Sequence, residues 1–176
     1  MIRLALVVAL LAPAAHAEIF GNTFRSSEWG VDLTVPRTWE LSEQRSYPGI
    51  IVRGFEHKTG ARLLLSAEHL APDETVRSYA ERNQKGLIKI GYRVTGATAR
   101  EGGAIVVDSQ SPDGKKLIRQ AYFVILSGQT ATGYVLSVSI QAAAARQSRP
   151  FEAFDEAMRT INIAPPASQP AEAPPR

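Results

Sequence analysis

The sequence predicts an α+β fold, an antiparallel β-sheet of about seven to eight strands with two main helices packed on it. Short segments in which apolar and polar residues alternate, typical of half-buried strands, occur in two blocks. A segment with helical periodicity separates the blocks, and a second one follows the last strand. Short turns join neighbouring strands, which favours antiparallel pairing and a sandwich of helices and sheet.

The first block contains four predicted strands. Residues 29–35 alternate between apolar and polar, and Pro36 ends this strand because proline cannot donate to a ladder. Residues 39–41 form a short second strand. Residues 50–57 and 62–70 follow, and the short connection between them predicts a β-hairpin.

A helix is predicted over residues 73–91. Pro72 suits its first turn, and Asp73 and Glu74 suit the positive end of the helix dipole. Its apolar stripe consists of Val76, Ala80, Leu87 and Ile90. Gly86 costs about 1 kcal/mol relative to alanine inside a helix. Either a close approach to the sheet or a break in the helix would explain that glycine.

The second block predicts four more strands, the last three of them a meander over residues 103–141. The strands are residues 92–99, 104–110, 116–126 and 133–141. Ser111-Pro112-Asp113-Gly114 predicts a type I turn between the second and third of these. A final helix follows, with Ser148 as its N-cap and Pro150 in its first turn. The apolar stripe of this helix is Phe151, Phe154, Met158 and Ile161.

The two ends of the chain are predicted to lie outside the folded domain. Residues 1–17 have the features of a signal peptide: one positive charge, a short apolar run and the small-x-small site Ala15-His16-Ala17. The alternative is an uncleaved N-terminal anchor. Residues 164–176 are rich in proline and alanine and predict a disordered tail. A single domain over residues 18–163 remains, and we expect it to be periplasmic or secreted after cleavage near Ala17.

Composition excludes several classes of function. The chain has 20 Lys and Arg against 17 Asp and Glu, a net charge of +3, without a basic run that would indicate nucleic-acid binding. It has no cysteine, which excludes thiol nucleophiles, thiolate zinc sites and iron–sulfur clusters. There is no P-loop, no G-x-G-x-x-G and no G-x-S-x-G motif. We therefore predict no cofactor, no membrane span and no nucleic-acid partner.

Two Glu-His pairs invite a metal hypothesis, at His57 and at His69. If Lys58 pairs with Ala61 across the hairpin turn, His57 lies opposite Arg62. The two imidazoles are then about 23 Å apart, at ~3.3 Å per residue, and on opposite faces of the sheet. This register predicts that they share no metal ion.

No other side chain is assigned a catalytic, metal-binding or ligand-binding role. Asp108, at the end of an apolar strand, is the least ordinary acid, and we interpret it as a solvated turn flank. The basic residues Arg77, Lys85 and Lys89 form a helix face that we interpret as solvated. An anionic partner or a lipid head group is the alternative for that face.

The chain resembles the PsbP-like domains, whose fold is shared with the yeast Ran-binding protein Mog and the periplasmic lipoprotein DcrB. The resemblance covers residues 24–162 and is carried by the segment "EWGVDLTVPRTWEL", by Ser78-Tyr79-Ala80, and by Phe151 with Phe154. It implies an α/β/α sandwich and a non-catalytic scaffold that binds partners. The family offers no catalytic residue to carry over, the Ran-binding surface has no counterpart here, and the missing cysteine departs from DcrB-type lipoproteins.

Two tryptophans flank the first turn, Trp29 and Trp39. We interpret them as buried residues that specify the fold, because truncating a large aromatic side chain in a core typically costs about 3–5 kcal/mol. The alternative is an exposed aromatic platform for a sugar or a peptide.

From these observations we expect an exported, non-catalytic binding or assembly module of the bacterial cell envelope with a protein partner. The alternative is an envelope hydrolase or small-ligand-binding protein with a carboxylate-lined cleft. Two acids about 5–9.5 Å apart in a deep pocket would indicate a hydrolase. A purely structural domain is a third interpretation.

Overall fold

The computed structural model describes residues 17–43, 49–100, 102–127, 129–145 and 151–164. The strands of the described residues are β1 (Ala17–Phe20), β2 (Thr23–Ser26), β3 (Val31–Thr34), β4 (Trp39–Glu43), β5 (Ile50–Glu56), β6 (Ala61–Leu70), β7 (Arg93–Ala99), β8 (Ile105–Gln110), β9 (Lys116–Ser127), β10 (Thr130–Gln141) and β11 (Asn162–Ile163). The helices are α1 (Val76–Lys89), α2 (Ala142–Ala145) and α3 (Glu152–Thr160). The predicted α+β class is confirmed.

The strands form two antiparallel sheets. The larger sheet has seven strands in the order β4-β5-β6-β10-β9-β8-β7, which confirms the predicted sheet, the β5–β6 hairpin and the β8–β9–β10 meander. The smaller sheet, β1-β2-β3-β11, was not predicted. Its first hairpin turns at Gly21, with φ of +58°, and Asn22. A Gly-Asn pair between strands is a recognised hairpin signal, so the sequence did contain this information.

The larger sheet is covered on both faces. One face packs against the smaller sheet and α3 around a core that includes the fully buried Phe24, Leu33 and Phe154. On the other face α1 lies over β7, β8 and β9, and its Tyr79 joins a second buried cluster that includes Tyr122. Helices therefore lie on both sides of the sheet, as predicted.

The two tryptophans differ in their environments. Trp39 begins β4 and is only 8% exposed in the larger core, which confirms that it is buried. The Trp39 ring lies over Gly54, where a Cβ atom would come within 3.2 Å of the ring. Trp29 is half-buried in the turn before β3, with its ring centroid 5.5 Å from that of His69. The predicted strand over residues 29–35 corresponds to β3, which covers only Val31–Thr34 and belongs to the smaller sheet instead of the larger one.

The register predicted for the β5–β6 hairpin is wrong by two residues. Ala61 pairs with Glu56, and Arg62 pairs with Phe55. The reason is a four-residue turn closed by Glu56, whose carboxylate accepts hydrogen bonds from the backbone N–H groups of Lys58 and Thr59 at 3.2 and 2.7 Å. Burial alone would raise the pKa of Glu56, but the hydrogen bonds from Thr59 and Lys58 outweigh it and lower the pKa.

Helix α1 begins later than predicted. Thr75 is its N-cap, and a capping box joins Thr75 and Ser78: each backbone N–H donates to the other residue's hydroxyl, at 3.1 and 2.9 Å. Pro72 and Asp73 therefore precede the helix instead of lying in its first turn. Ile90, which was placed in the buried stripe, is 65% exposed.

Gly86 is expected to be a site where alanine stabilises the protein. Neither predicted reason for this glycine applies, because α1 continues to Lys89 and a Cβ atom at Gly86 would meet nothing within 4 Å outside its own helix. Gly86→Ala should raise the free energy of unfolding in urea by about 0.5–1 kcal/mol. Gly91→Ala is the matched control and should destabilise, because Gly91 has φ of +88° and lies beside Pro112. A loss of stability in Gly86→Ala would contradict this account.

Helix α3 begins at Glu152, with Phe151 as an N-cap whose side chain makes no capping hydrogen bond. The predicted apolar stripe is confirmed, since Phe154 is buried and Phe151, Met158 and Ile161 pack against the core. Ser148 and Pro150, the predicted start of this helix, lie outside the described residues. So do residues 1–16 of the predicted signal peptide and residues 165–176 of the predicted tail.

Ala164, the first residue of the predicted tail, still contacts the fold. Its backbone N–H donates to the Gly30 carbonyl at 2.8 Å, next to the β3–β11 pair. None of the helices in the described ranges has the length and apolar content that a membrane crossing requires.

Candidate functional site

The two histidines singled out in the sequence lie at opposite ends of β6. His57 is exposed in the β5–β6 turn, where its Nε2 lies 3.0 Å from Oε2 of Glu40. His69 lies near the other end of β6, against Trp29. Among the described residues, no three His, Asp or Glu side chains converge as a metal site requires.

The interpretation of Asp108 as a solvated turn flank is wrong, because its carboxylate forms an ion pair with Arg119 on the neighbouring strand. It lies within β8, directly opposite Arg119 on β9. Nε and Nη2 of Arg119 donate to the two Asp108 carboxylate oxygens at 2.7 and 2.9 Å. The guanidinium also lies 4.4 Å from the ring centroid of Phe151, next to α3. This bidentate pair connects the sheet to the last helix. By contrast, Arg77, Lys85 and Lys89 are exposed on α1.

A groove of about 370 Å³ opens beside the end of β9, and we call it the edge groove. Its floor is formed by four consecutive residues, Phe123 to Leu126. One wall is the segment 72–76 that leads into α1, and the other is Gly102 and Gly103 between β7 and β8. Successive strand residues point to opposite faces of a sheet, so a groove lined by four in a row opens on the edge of the strand.

The edge of β9 is open there because β8 is too short to cover it. The two strands pair from Gln110 and Leu117 to Ile105 and Tyr122, and β9 continues to Ser127. Beyond Tyr122, the only described strand beside β9 is β10. Alternate residues of an antiparallel strand direct their N–H and C=O groups to the same side. Two of the four residues in the floor therefore present backbone donors and acceptors to the groove.

The groove is largely apolar. Leu126 lies at its rim and is 63% exposed. Val124 and Val76 are half-buried on the α1 side, and Phe123 and Ile125 are half-buried on the opposite side of the sheet. Gly102 and Gly103 contribute no side chains, and Cβ atoms there would meet nothing within 4 Å. The wall that these glycines form is therefore open backbone.

The charged side chains among the described lining residues are acids, Asp73 and Glu74. Glu74 is held in place, because its Oε1 accepts a hydrogen bond from Nε of Arg82 at 3.1 Å. Asp73 is exposed, and no hydrogen bond or ion pair engages it within the described residues. The groove therefore presents one unneutralised carboxylate beside an apolar floor.

Helix α1, which follows the wall segment 72–76, is fixed to the sheet by a buried tyrosine. Tyr79 is 1% exposed and meets Tyr122 edge-on, with ring centroids 5.8 Å apart. Arg82 lies over the Tyr79 ring and donates to Glu68 on β6 at 3.3 Å. Burial, with the nearby Glu68 carboxylate, raises the pKa of Tyr79 far above its usual value. Buried aromatic packing and the Arg82–Glu68 pair thus hold α1, and with it the adjoining wall of the groove, against the sheet.

The edge groove was not predicted from the sequence, although the sequence contains one signal for it. The predicted strands 104–110 and 116–126 differ in length, and the turn between them fixes their pairing. The longer strand must then extend past the shorter one by about four residues, which are residues 123–126. The position of the segment before α1 depends on tertiary packing and has no comparable local signal.

Solved structures with a similar fold are known for this chain, but no similar family model or curated protein was found. The resemblance to PsbP-like domains therefore gains no support from a family match. The solved structure of LpqN from Mycobacterium tuberculosis, described as involved in cell envelope biogenesis, is similar, with a TM-score of 0.62 and 17% identity over 77% of this chain and 83% of that chain.

A second solved structure, from Bacteroides thetaiotaomicron VPI-5482, has a TM-score of 0.50 and 12% identity over 82% of this chain. The match covers 49% of that chain, so this protein spans about half of its length. At these identities the comparisons show a shared α+β fold.

Proposed function

We propose that this protein is a non-catalytic binding or assembly module of the bacterial cell envelope that engages a protein partner at the edge groove. The observation that carries the proposal is the edge of β9 at Phe123 to Leu126, which no described strand covers on the side away from β10 and which carries the exposed Leu126 side chain. Unpaired strand edges are features that proteins usually cover or use for association, and contiguous exposed apolar surface often marks an interaction site.

Two further observations support a role in the envelope. The N-terminal sequence has the pattern of a signal peptide, and LpqN, which shares the fold, is involved in cell envelope biogenesis. Membership of the PsbP-like family is part of the same proposal. It is supported by the motif resemblance and by the helices on both faces of the sheet.

The alternative, an envelope hydrolase or small-ligand-binding protein, receives less support from the groove. A glycoside hydrolase needs two carboxylates on either side of a bond. The two acids of the groove are sequence neighbours on one wall, and one of them is held by Arg82. The apolar floor and the open backbone suit a protein segment better.

Photo-crosslinking in the native host tests the proposal. We expect that benzoyl-phenylalanine in place of Leu126 in the full chain forms a discrete adduct with an envelope protein. Ile88 is the matched control, since it is 56% exposed and lies about 18 Å along α1 from Val76. The same substitution at Ile88 should give no such adduct. Equal adducts at both positions, or none at Leu126, would contradict a partner site at the groove.

A further inference from the structure

We infer that the occupant of the edge groove is an extended, proline-free segment of the partner that adds as a strand to β9 at Phe123 to Leu126. The segment carries apolar side chains along its length and a lysine or arginine that reaches Asp73. This inference rests on the proposed function, because it specifies how the partner would be bound.

Backbone hydrogen bonding favours strand addition over other modes of binding. The groove opens on a strand edge whose donors and acceptors have no described partner strand, and β-augmentation uses such groups for affinity. Four residues of strand extend over about 13 Å, so the edge takes a segment of four to five residues. An added strand would continue the line of β8 beyond Ile105, the residue at which β8 begins.

The side chains of the groove determine the chemistry of the segment. Side chains of an added strand would alternate between the side of Val124 and Leu126 and the side of Phe123 and Ile125. Both sides are apolar, so successive side chains of the segment find apolar neighbours. Asp73 is exposed and lacks a partner within the described residues, so charge complementarity selects a basic residue in the segment.

Residues 165–176 of this chain are poorly suited to be the occupant. They contain prolines at positions 165, 166, 170, 174 and 175, which leaves no proline-free run longer than three residues. Proline has no N–H to donate, so this segment cannot pair along a four-residue edge.

The outer edge of β7 also lacks a neighbouring strand in the described part of the chain, but it is a less suitable site. Pairing within β7 shifts register between Val94 and Gly96, and all of its residues except Val94 are exposed. An added strand there would have no groove for its side chains.

The test is selection of a displayed random decapeptide library against the purified full chain. We expect enriched peptides to share a proline-free run of at least four residues, apolar side chains and one lysine or arginine. Leu126→Lys should weaken binding of the best synthetic peptide at least tenfold, and Asp73→Asn should weaken it several-fold at low salt. Ile88→Lys, an apolar-to-lysine change at a comparably exposed residue outside the groove, should leave binding unchanged.

Backbone N-methylation distinguishes strand addition from side-chain recognition. The best peptide is made in two forms, each methylated at one set of alternate residues, and one form should bind at least tenfold more weakly than the other. Three outcomes would overturn the inference. They are equal binding of both methylated forms, enrichment of proline-rich peptides resembling residues 165–176, and enrichment no greater than in a parallel selection against the Leu126→Lys variant. These outcomes leave the Leu126 crosslink as a separate test of the proposed function.

Discussion

Replacing Gly133 by alanine is expected to destabilise the protein by about 2–3 kcal/mol. A Cβ atom at Gly133 on β10 would lie 2.7 Å from Cζ of Tyr79 and 2.8 Å from Cδ1 of Leu70, far inside van der Waals contact. The Tyr79 ring has no room to withdraw, since it is fully buried and packed against Tyr122. The added methyl group must therefore displace α1 from the sheet.

Urea unfolding measures this effect, with Gly96→Ala as the matched control. Gly96 is also a strand glycine of the larger sheet, but a Cβ atom there would meet nothing within 4 Å. We expect a change within about 0.5 kcal/mol for that variant. Shortening Tyr79 to leucine in the Gly133→Ala background should make the two changes non-additive, because the clash is removed. Equal losses at Gly133 and Gly96 would contradict the packing described.

Among the stability variants proposed, Trp39→Ala should have the largest effect, a loss of about 3–5 kcal/mol in the free energy of unfolding. The Trp39 side chain fills the core above Gly54 and is 8% exposed. Trp29→Ala should cost only about 1–2 kcal/mol, since this side chain is half-buried. The Tyr134 hydroxyl donates a hydrogen bond to the backbone carbonyl of residue 29, and the substitution retains this bond because it changes only the side chain.

Chemical denaturation of the two variants, together with iodide quenching, checks this expectation. In Trp29→Phe, the remaining Trp39 fluorescence should be weakly quenched by iodide. In Trp39→Phe, iodide should quench the fluorescence of the remaining Trp29 more strongly. Strong quenching of Trp39 would favour the alternative of an exposed aromatic platform and contradict the buried position.

Local patterns were sufficient to predict most of the fold. The alternation in β8, β9 and β10 and the Ser111–Gly114 turn, closed by a 2.9 Å hydrogen bond, depend on residues close in sequence. The missed features depend on details that periodicity does not report. The β5–β6 register was decided by the carboxylate of Glu56, and the start of α1 by the reciprocal hydrogen bonds of Thr75 and Ser78.

The candidate site was harder to predict because no reactive side chain marks it. Strand lengths alone indicate that residues 123–126 extend past β8, but they do not show what lies beside that edge. The segment before α1 reaches the groove because Tyr79 packs on Gly133 and Arg82 holds Glu74. Both contacts join residues that are distant in sequence or on different elements. His57 and Asp108 have the side chains with the most distinctive chemistry in the sequence, but neither lines the groove.

The most direct test of the account is residue-resolved amide hydrogen exchange by NMR on the isolated full chain. Two alternating amides among Phe123 to Leu126 should exchange rapidly, while the amides of β9 that face β10 stay protected. The same two amides should slow when a selected peptide binds. Protection of all four amides in the isolated protein would show that the edge is already covered, and would contradict a groove open to a partner strand.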